Sequence, residues 1–217
     1  MSTPNPKTKK NTVVRVPERG HYDRNVIYPI VDEALIGHVG FVMDEQPIVI
    51  PTLIARDDDH LLLHGSEASR MMRHMATGAP ICITVTHTDA LILARSAFHH
   101  SVNYRSAMLF GIGEKVEDPE EKMRLTALFM EKLVPQRWDD SRIPNEKELK
   151  ATMIVRVYIE QASAKIRNAG VKDDAEDLGL PYWAGVLPIQ TVYGPAINDE
   201  LLPPHIPVPE YVRSYGR

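Results

Sequence analysis

The sequence predicts a mainly β fold, a β-barrel with attached helices, and three observations carry that expectation. Short stretches rich in Val, Ile, Leu and Thr recur along the chain, each bounded by Gly, Pro, Asp or Asn. Few segments show the 3.6-residue apolar period of a helix. The length, 217 residues with 43% hydrophobic and 25% charged, suits one domain around one sizeable core.

Residues 1–12, rich in Pro, Lys, Thr and Asn, are expected to be a disordered N-terminal segment, with the folded domain over 13–190. Residues 23–35 read as a helix: Asp23 is its cap, and Val26, Ile27, Ile30, Val31 and Leu35 share a face. A strand at 37–42 and a turn at Gln46 and Pro47 follow. The strand at 47–55 contains Pro51, which implies an edge, a bulge or backbone facing a ligand. Residues 56–60 form a turn before a strand at 61–65, so this stretch reads as a hairpin. Gly65 breaks into a short basic helix with Ser66 as a cap candidate; the helix covers 69–75 and ends before Gly78 and Pro80. Strands at 81–86 and 90–95 are split by His87, Thr88 and Asp89, and a long strand fills 104–116. Asp118, Pro119, Glu120 and Glu121 open a second clear helix, with Leu125, Leu128, Phe129 and Leu133 as its buried face. A loop holding Trp138 leads to strands at 154–160 and 163–167. Residues 171–180 are a charged loop and 181–190 a turn and strand end. The Pro-rich tail, 191–217, is expected to be extended and to pack on the domain or on a second copy.

Composition excludes several classes. The formal net charge of −4, with Lys7 to Lys10 as the one basic run, leaves no footprint for nucleic acid. No apolar run is long enough for a membrane span, and no signal segment is evident, so a cytoplasmic location is the default expectation. A single cysteine, Cys82, excludes an internal disulfide and a cysteine metal cage; its strand context reads as small core packing. Adjacent His99 and His100 face opposite ways in a strand and cannot easily share one ion, so no metal is expected. No Gly-x-Gly-x-x-Gly turn marks a dinucleotide fold.

One motif carries chemistry. A strand ending in Gly65 feeds a helix bearing Ser69 and Arg70. Helix N–H groups and a guanidinium together suit a phosphate-bearing ligand. The alternative is an ordinary capped surface helix with a solvated arginine. Two-residue spacing puts Tyr104 and Ser106 on one strand face, with Arg105 on the other, and likewise joins Lys165 to Arg167.

The chain resembles the pyridoxamine 5′-phosphate oxidase-like superfamily, the FMN-binding split barrels. The strings that carry the resemblance include Arg19-Gly-His-Tyr-Asp23, Gly37-His-Val-Gly-Phe41, Pro47-Ile-Val-Ile-Pro-Thr52, His64-Gly-Ser66 and Ser69-Arg70. They continue through Asn103-Tyr-Arg-Ser106, Glu148-Leu-Lys-Ala-Thr152, Ala164-Lys-Ile-Arg167 and Tyr182-Trp-Ala-Gly-Val-Leu-Pro188. The resemblance implies an FMN-binding split barrel whose flavin phosphate meets Ser69 and Arg70. The family often has Ser-Arg-Lys there; Met71 replaces that lysine, and Arg105 or Lys165 are the candidate substitutes. Ile48, Val49, Pro51 and Thr52 are implied to run their backbone along the flavin ring, although they also read as barrel core. His64, Gly65 and Ser66 are implied near the phosphate and ribityl chain, with hydrogen-bonded structure as His64's other reading. Tyr104, Ser106 and Lys165 are implied to reach the cofactor, a polar rim being the alternative for the first two. Trp183 is implied to cover the flavin of a second subunit, and is otherwise an interface residue. The wider superfamily also includes haem proteins.

The implied function is an FMN-binding flavoprotein, an oxidoreductase acting on an unidentified small molecule, built as a homodimer with flavin sites at its interface. No side chain is an evident catalytic proton donor. The basic C-terminal substrate clamp of true pyridoxamine-phosphate oxidases has no counterpart in the uncharged, Pro-rich stretch that starts at Leu202. Nitro-group reduction is the other enzymatic version. A flavin store, carrier or sensor without turnover is the alternative of a different class.

Overall fold

The computed structural model describes residues 6–216, and within them the chain is an antiparallel β structure with peripheral helices. The strands are β1 (Gly20–His21), β2 (Ile36–Met43), β3 (Gln46–Leu53), β4 (Ala55–Asp57), β5 (His60–Ser66), β6 (Pro80–Leu93), β7 (Ser101–Lys115), β8 (Thr152–Tyr158), β9 (Gln161–Arg167) and β10 (Gly185–Pro188). The helices are α1 (Arg24–Glu33), α2 (Arg70–Met75), α3 (Pro119–Leu133), α4 (Glu146–Ala151) and α5 (Glu210–Arg213). The main strand order is β3-β2-β6-β7-β8-β5-β4, and the sheet is not closed into a continuous ring. Among the described residues, no helix is long and apolar enough to cross a membrane.

The barrel splits because its two longest strands change partners. β7 pairs with β9 from Tyr104 to Phe110, then with β8 from Gly113 to Lys115. Gly111 lies in the fork: a Cβ there would sit 2.2 Å from the Tyr158 carbonyl oxygen. β6 pairs with β2 near Cys82 and Thr84 and with β10 from Ala90 to Leu93. Alternation sends Val39, Phe41, Ile81, Ile83, Val85, Ala107 and Leu109 inward to the main core. A second core, with Leu62, Val116, Leu125, Phe129 and Ile154, fills the space under α3.

Local chemistry explains the helices. Asp23 caps α1 by accepting from the Asn25 N–H, and Ile27, Ile30 and Val31 are its buried residues. Asp118 caps α3, Pro119 occupies its first turn, and Glu120 and Glu121 complement its dipole. Several expectations need correction. The strand at 47–55 does not form a hairpin with the strand after it: β3 pairs with β2, and the separate β4 pairs with β5. The proposed break at His87 to Asp89 is a register shift between Thr88 and Ala90 within one continuous strand. Ser69, not Ser66, caps α2; the Ser66 hydroxyl accepts from the Ala68 N–H instead. α4 was not anticipated, although Asn145 and Glu148 form a reciprocal capping box.

The N-terminal segment expected to be disordered is anchored where it is described. Asn11 is fully buried and donates to the Ala162 carbonyl at 3.1 Å, and Thr8 donates to Gln161 at 2.6 Å. Residues 1–5 lie outside the described residues. The C-terminal tail returns to the end of α3: the Tyr215 hydroxyl donates to the Leu133 carbonyl and the Tyr211 hydroxyl to Asp140. The tail closes with α5 instead of staying extended throughout.

Candidate functional site

The candidate residues fall into three places. The first joins β3 to α2. β3 ends the strand order, so one of its backbone edges has no strand neighbour among the described residues. Edge N–H and C=O groups of this kind are available to a ligand. Ile48 lies opposite Phe41 and packs on the core, and Thr52 lies opposite Gly37. Val49 and Pro51 therefore take the outer face, beside Gly40 and His38, where Val49 is 65% exposed. The His74 ring of α2 lies 4.9 Å from the Phe41 ring, which brings α2 to the Ile48 end of β3.

Ser69 spends its hydroxyl on the cap, accepting from the Met72 N–H at 3.4 Å. Arg70 follows directly, is exposed, and has no hydrogen bond or ion pair among the described residues. Met71 is buried in the main core, so this position faces inward here. Arg105 cannot replace that cation. It is held by Glu33 and by Asp89, at 2.8 Å from the latter.

The His64 side chain lies on the opposite side of its strand from α2. A Cβ on Gly65 would meet Met72 of α2 at 2.9 Å. Neighbouring strand residues face opposite ways, and the His64 ring packs edge-on against Phe129 of α3, with centroids 4.5 Å apart. Its Nδ1 is buried without a hydrogen-bond partner, and burial pushes its pKa below the ordinary 6.5. Between that lowered value and 6.5 the unfolded chain binds a proton that the folded chain refuses. Stability therefore rises with pH through this window and is lost as pH falls below about 6.5. His64→Phe should flatten that part of a stability-versus-pH curve measured by denaturant melts.

The second place is the outer face of β7 and β9. Tyr104 lies opposite Arg167 and Ser106 opposite Lys165, and the Ser106 hydroxyl donates to the Lys165 carbonyl at 3.3 Å. Lys165 does not join Ser69 and Arg70 within one chain. Lys165 lies opposite Ser106, whereas α2 packs on β7 at Gly113, seven residues or roughly 23 Å along that strand. Gly20 pairs with Lys165, which brings Arg19 and Arg15, to which the sequence assigned no site role, to this face.

The third place is Trp183, which is 69% exposed and covers Gly185 at the start of β10. β10 pairs at the Leu93 end of β6, whereas α2 precedes the Pro80 end. β6 has 14 residues, so up to about 45 Å of strand separates the tryptophan from Arg70 in one chain. Near the Leu93 end, His99 lies 3.1 Å from Asp174, and Asp177 completes a surface group whose potential ligand atoms lie within 4.8 Å of one another. His100 faces elsewhere, accepting from the Ala94 N–H.

A family model described as pyridoxamine 5′-phosphate oxidase matches residues 23–166. No curated protein matches the chain. Among solved structures, the flavocytochrome Anf3 from Azotobacter vinelandii is 35% identical, with a TM-score of 0.88 over 94% of this chain and 95% of that one. A FAD and haem binding protein from Mycobacterium smegmatis is 33% identical, with a TM-score of 0.85 over 90% of this chain and 96% of that one. A FAD-binding protein from Mesorhizobium loti, 16% identical with a TM-score of 0.50 over 69% of this chain and 98% of that one, shares the fold.

Proposed function

Because the chain belongs to the pyridoxamine 5′-phosphate oxidase family, we propose that it is a flavin-dependent redox protein. Its cofactor would lie between two copies of the chain and exchange electrons with a small molecule. The observation that carries this reading is the presence of two unused binding resources: the free backbone edge of β3, and the unpartnered, exposed Arg70 on α2, a helix whose His74 ring meets Phe41 of the neighbouring β2. The residues fit the group. Arg70 can hold a phosphate by charge-assisted hydrogen bonds, and β3 main-chain groups can read the polar edge of a flavin ring. The flavin supplies the hydride or electron chemistry, while the protein orients it and excludes water.

FMN is the form that a single phosphate locus at Ser69 and Arg70 suits. FAD is the alternative, supported by the names of similar proteins. Haem is a second reading for an additional cofactor. It is favoured by the names of two similar structures above 30% identity and by two buried ring nitrogens without partners among the described residues, His64 Nδ1 and His74 Nε2. Imidazole nitrogen is a usual ligand of haem iron, and a haem-type visible spectrum in the purified protein would support this addition.

The separation of Trp183 and Arg70 towards opposite ends of β6 supports a two-copy arrangement. A two-fold axis lets the tryptophan of one copy meet the arginine end of the other and gives two sites per dimer. Trp183→Ala should then weaken flavin binding and raise flavin fluorescence without unfolding the chain. The lost ring contact is about 0.5–1.5 kcal/mol beyond area burial. Light scattering on the loaded protein together with flavin emission of the variant tests this; a monomer that holds flavin, or unchanged emission, contradicts it. Reduction by NADH or NADPH followed by reoxidation by candidate acceptors separates a redox enzyme from a flavin store.

A further inference from the structure

We propose that Arg15, Arg19, Lys165 and Arg167 form a binding site for a phosphate or diphosphate group, separate from Arg70. The site lies where the N-terminal segment crosses the outer face of β6, β7 and β9. A cleft of about 430 Å³ opens there, lined by Arg15, Lys165 and the hydroxyls of Thr84, Thr86, Ser106 and Ser163. Arg19 adjoins it because Gly20 pairs with Lys165, and Arg167 follows two residues along the same face of β9.

The charge is uncompensated. None of these four cations has a carboxylate partner among the described residues. That is unusual in a chain of net charge −4, whose other arginines are mostly paired: Arg24 with Asp59, Arg56 with Asp32, Arg95 with Asp173 and Arg156 with Glu114. Arg167 is only 8% exposed, yet its hydrogen bonds go to neutral acceptors, Asn103 Oδ1 and the carbonyls of Ala169 and Gly170. Burial and the nearby charge of Arg19 push its pKa below the ordinary arginine value. A buried guanidinium with no counter-ion beside a second cation is costly, and an anion relieves that cost. Planar guanidinium forks and the hydroxyls of Thr84 and Thr86 around one cleft match phosphate oxygens.

Two sources share this chemistry: the phosphates of a dinucleotide flavin, or a phosphorylated substrate that binds beside the flavin. Calorimetric titration of inorganic pyrophosphate into the full-length protein, as purified and after loading with FMN or FAD, distinguishes them. Pyrophosphate is expected to bind the FMN-loaded protein. Affinity should fall at least tenfold in the Arg19→Ala/Lys165→Ala double variant, persist in Lys165→Arg, and be unaffected by Arg70→Ala. If the site holds the diphosphate of FAD, that diphosphate does not also rest on Arg70 of the same chain: FAD loading blocks pyrophosphate, the Arg19→Ala/Lys165→Ala variant loses affinity for FAD but not FMN, and Arg70→Ala loses affinity for FMN but not FAD. If it holds a substrate phosphate, pyrophosphate binds FMN- and FAD-loaded protein alike and flavin affinities are unchanged. A chain that takes no flavin at all still reports on this site through pyrophosphate alone, so failure of the flavin reading is distinguishable. Absence of pyrophosphate binding in every form, or equal binding by a folded double variant, overturns the proposal.

Discussion

Gly111→Ala is expected to cost about 3 kcal/mol of stability or more, the upper range for forcing atoms into a packed interior. The added Cβ would lie 2.2 Å from the Tyr158 carbonyl oxygen and 2.8 Å from Val157 Cγ1. The oxygen belongs to the backbone at the point where β8 turns towards β9, so no rotamer change relieves the clash. The fork itself must open, and with it the pairing of β7 to both partners. Denaturant melts of this variant and of Gly170→Ala provide the comparison. A Cβ on Gly170 meets nothing within 4 Å, and that variant should remain near the parent. Equal midpoints for the two variants would contradict the fork as the structural pivot.

Arg70→Ala is expected to weaken flavin binding by roughly ten- to a hundredfold, the worth of a charge-assisted contact of about 1.5–3 kcal/mol. Because Arg70 is exposed and has no internal partner, its removal leaves no buried group unsatisfied, and the melting midpoint should hardly move. The exposed position also implies that the parent loses flavin affinity as salt is raised, and that the variant loses less. Arg73→Ala is the control: Arg73 shares the helix but already donates to the Glu67 carbonyl at 2.7 Å. Flavin titrations at low and moderate salt read both variants. An unchanged dissociation constant for Arg70→Ala would move the phosphate elsewhere, with the Lys165 cleft as the first place to look.

The class of fold was legible because its signals are local. The caps Asp23 and Asp118 and the apolar faces behind them marked α1 and α3 within a residue or two of their observed starts. Strand existence followed from alternation, but strand partners did not. β3 seeks β2 and not β5 because Ile48 and Ile50 must share the core side with Phe41 and Val39, a long-range requirement invisible in the turn at 56–60. The bulge near Asp89 absorbs the polar residues that looked like a break. Asn145 and Glu148 did carry a readable capping signature for α4, which their position just before a strand obscured.

The site was legible in parts and not as an assembly. Ser69 and Arg70 stood out because a glycine, a cap and a cation fall together in sequence. The side His64 takes was not legible, because it depends on which neighbour faces α2, and Gly65 takes that side. Lys165 was read as a partner for Arg70, whereas α2 packs on β7 at Gly113 and Lys165 lies opposite Ser106, far along the same strand, with Arg15 and Arg19 gathered around the lysine instead. That gathering rests on the pairing of Gly20 with Lys165, 145 positions apart in the chain, which no spacing rule reveals.

The central claim is that this chain holds a flavin, and the most direct measurement is the visible spectrum of the purified full-length protein combined with the mass of the cofactor released on denaturation. The account predicts a yellow protein that releases one flavin per chain, FMN or FAD by mass. A protein that stays colourless and releases no flavin after supplementation with both would contradict it.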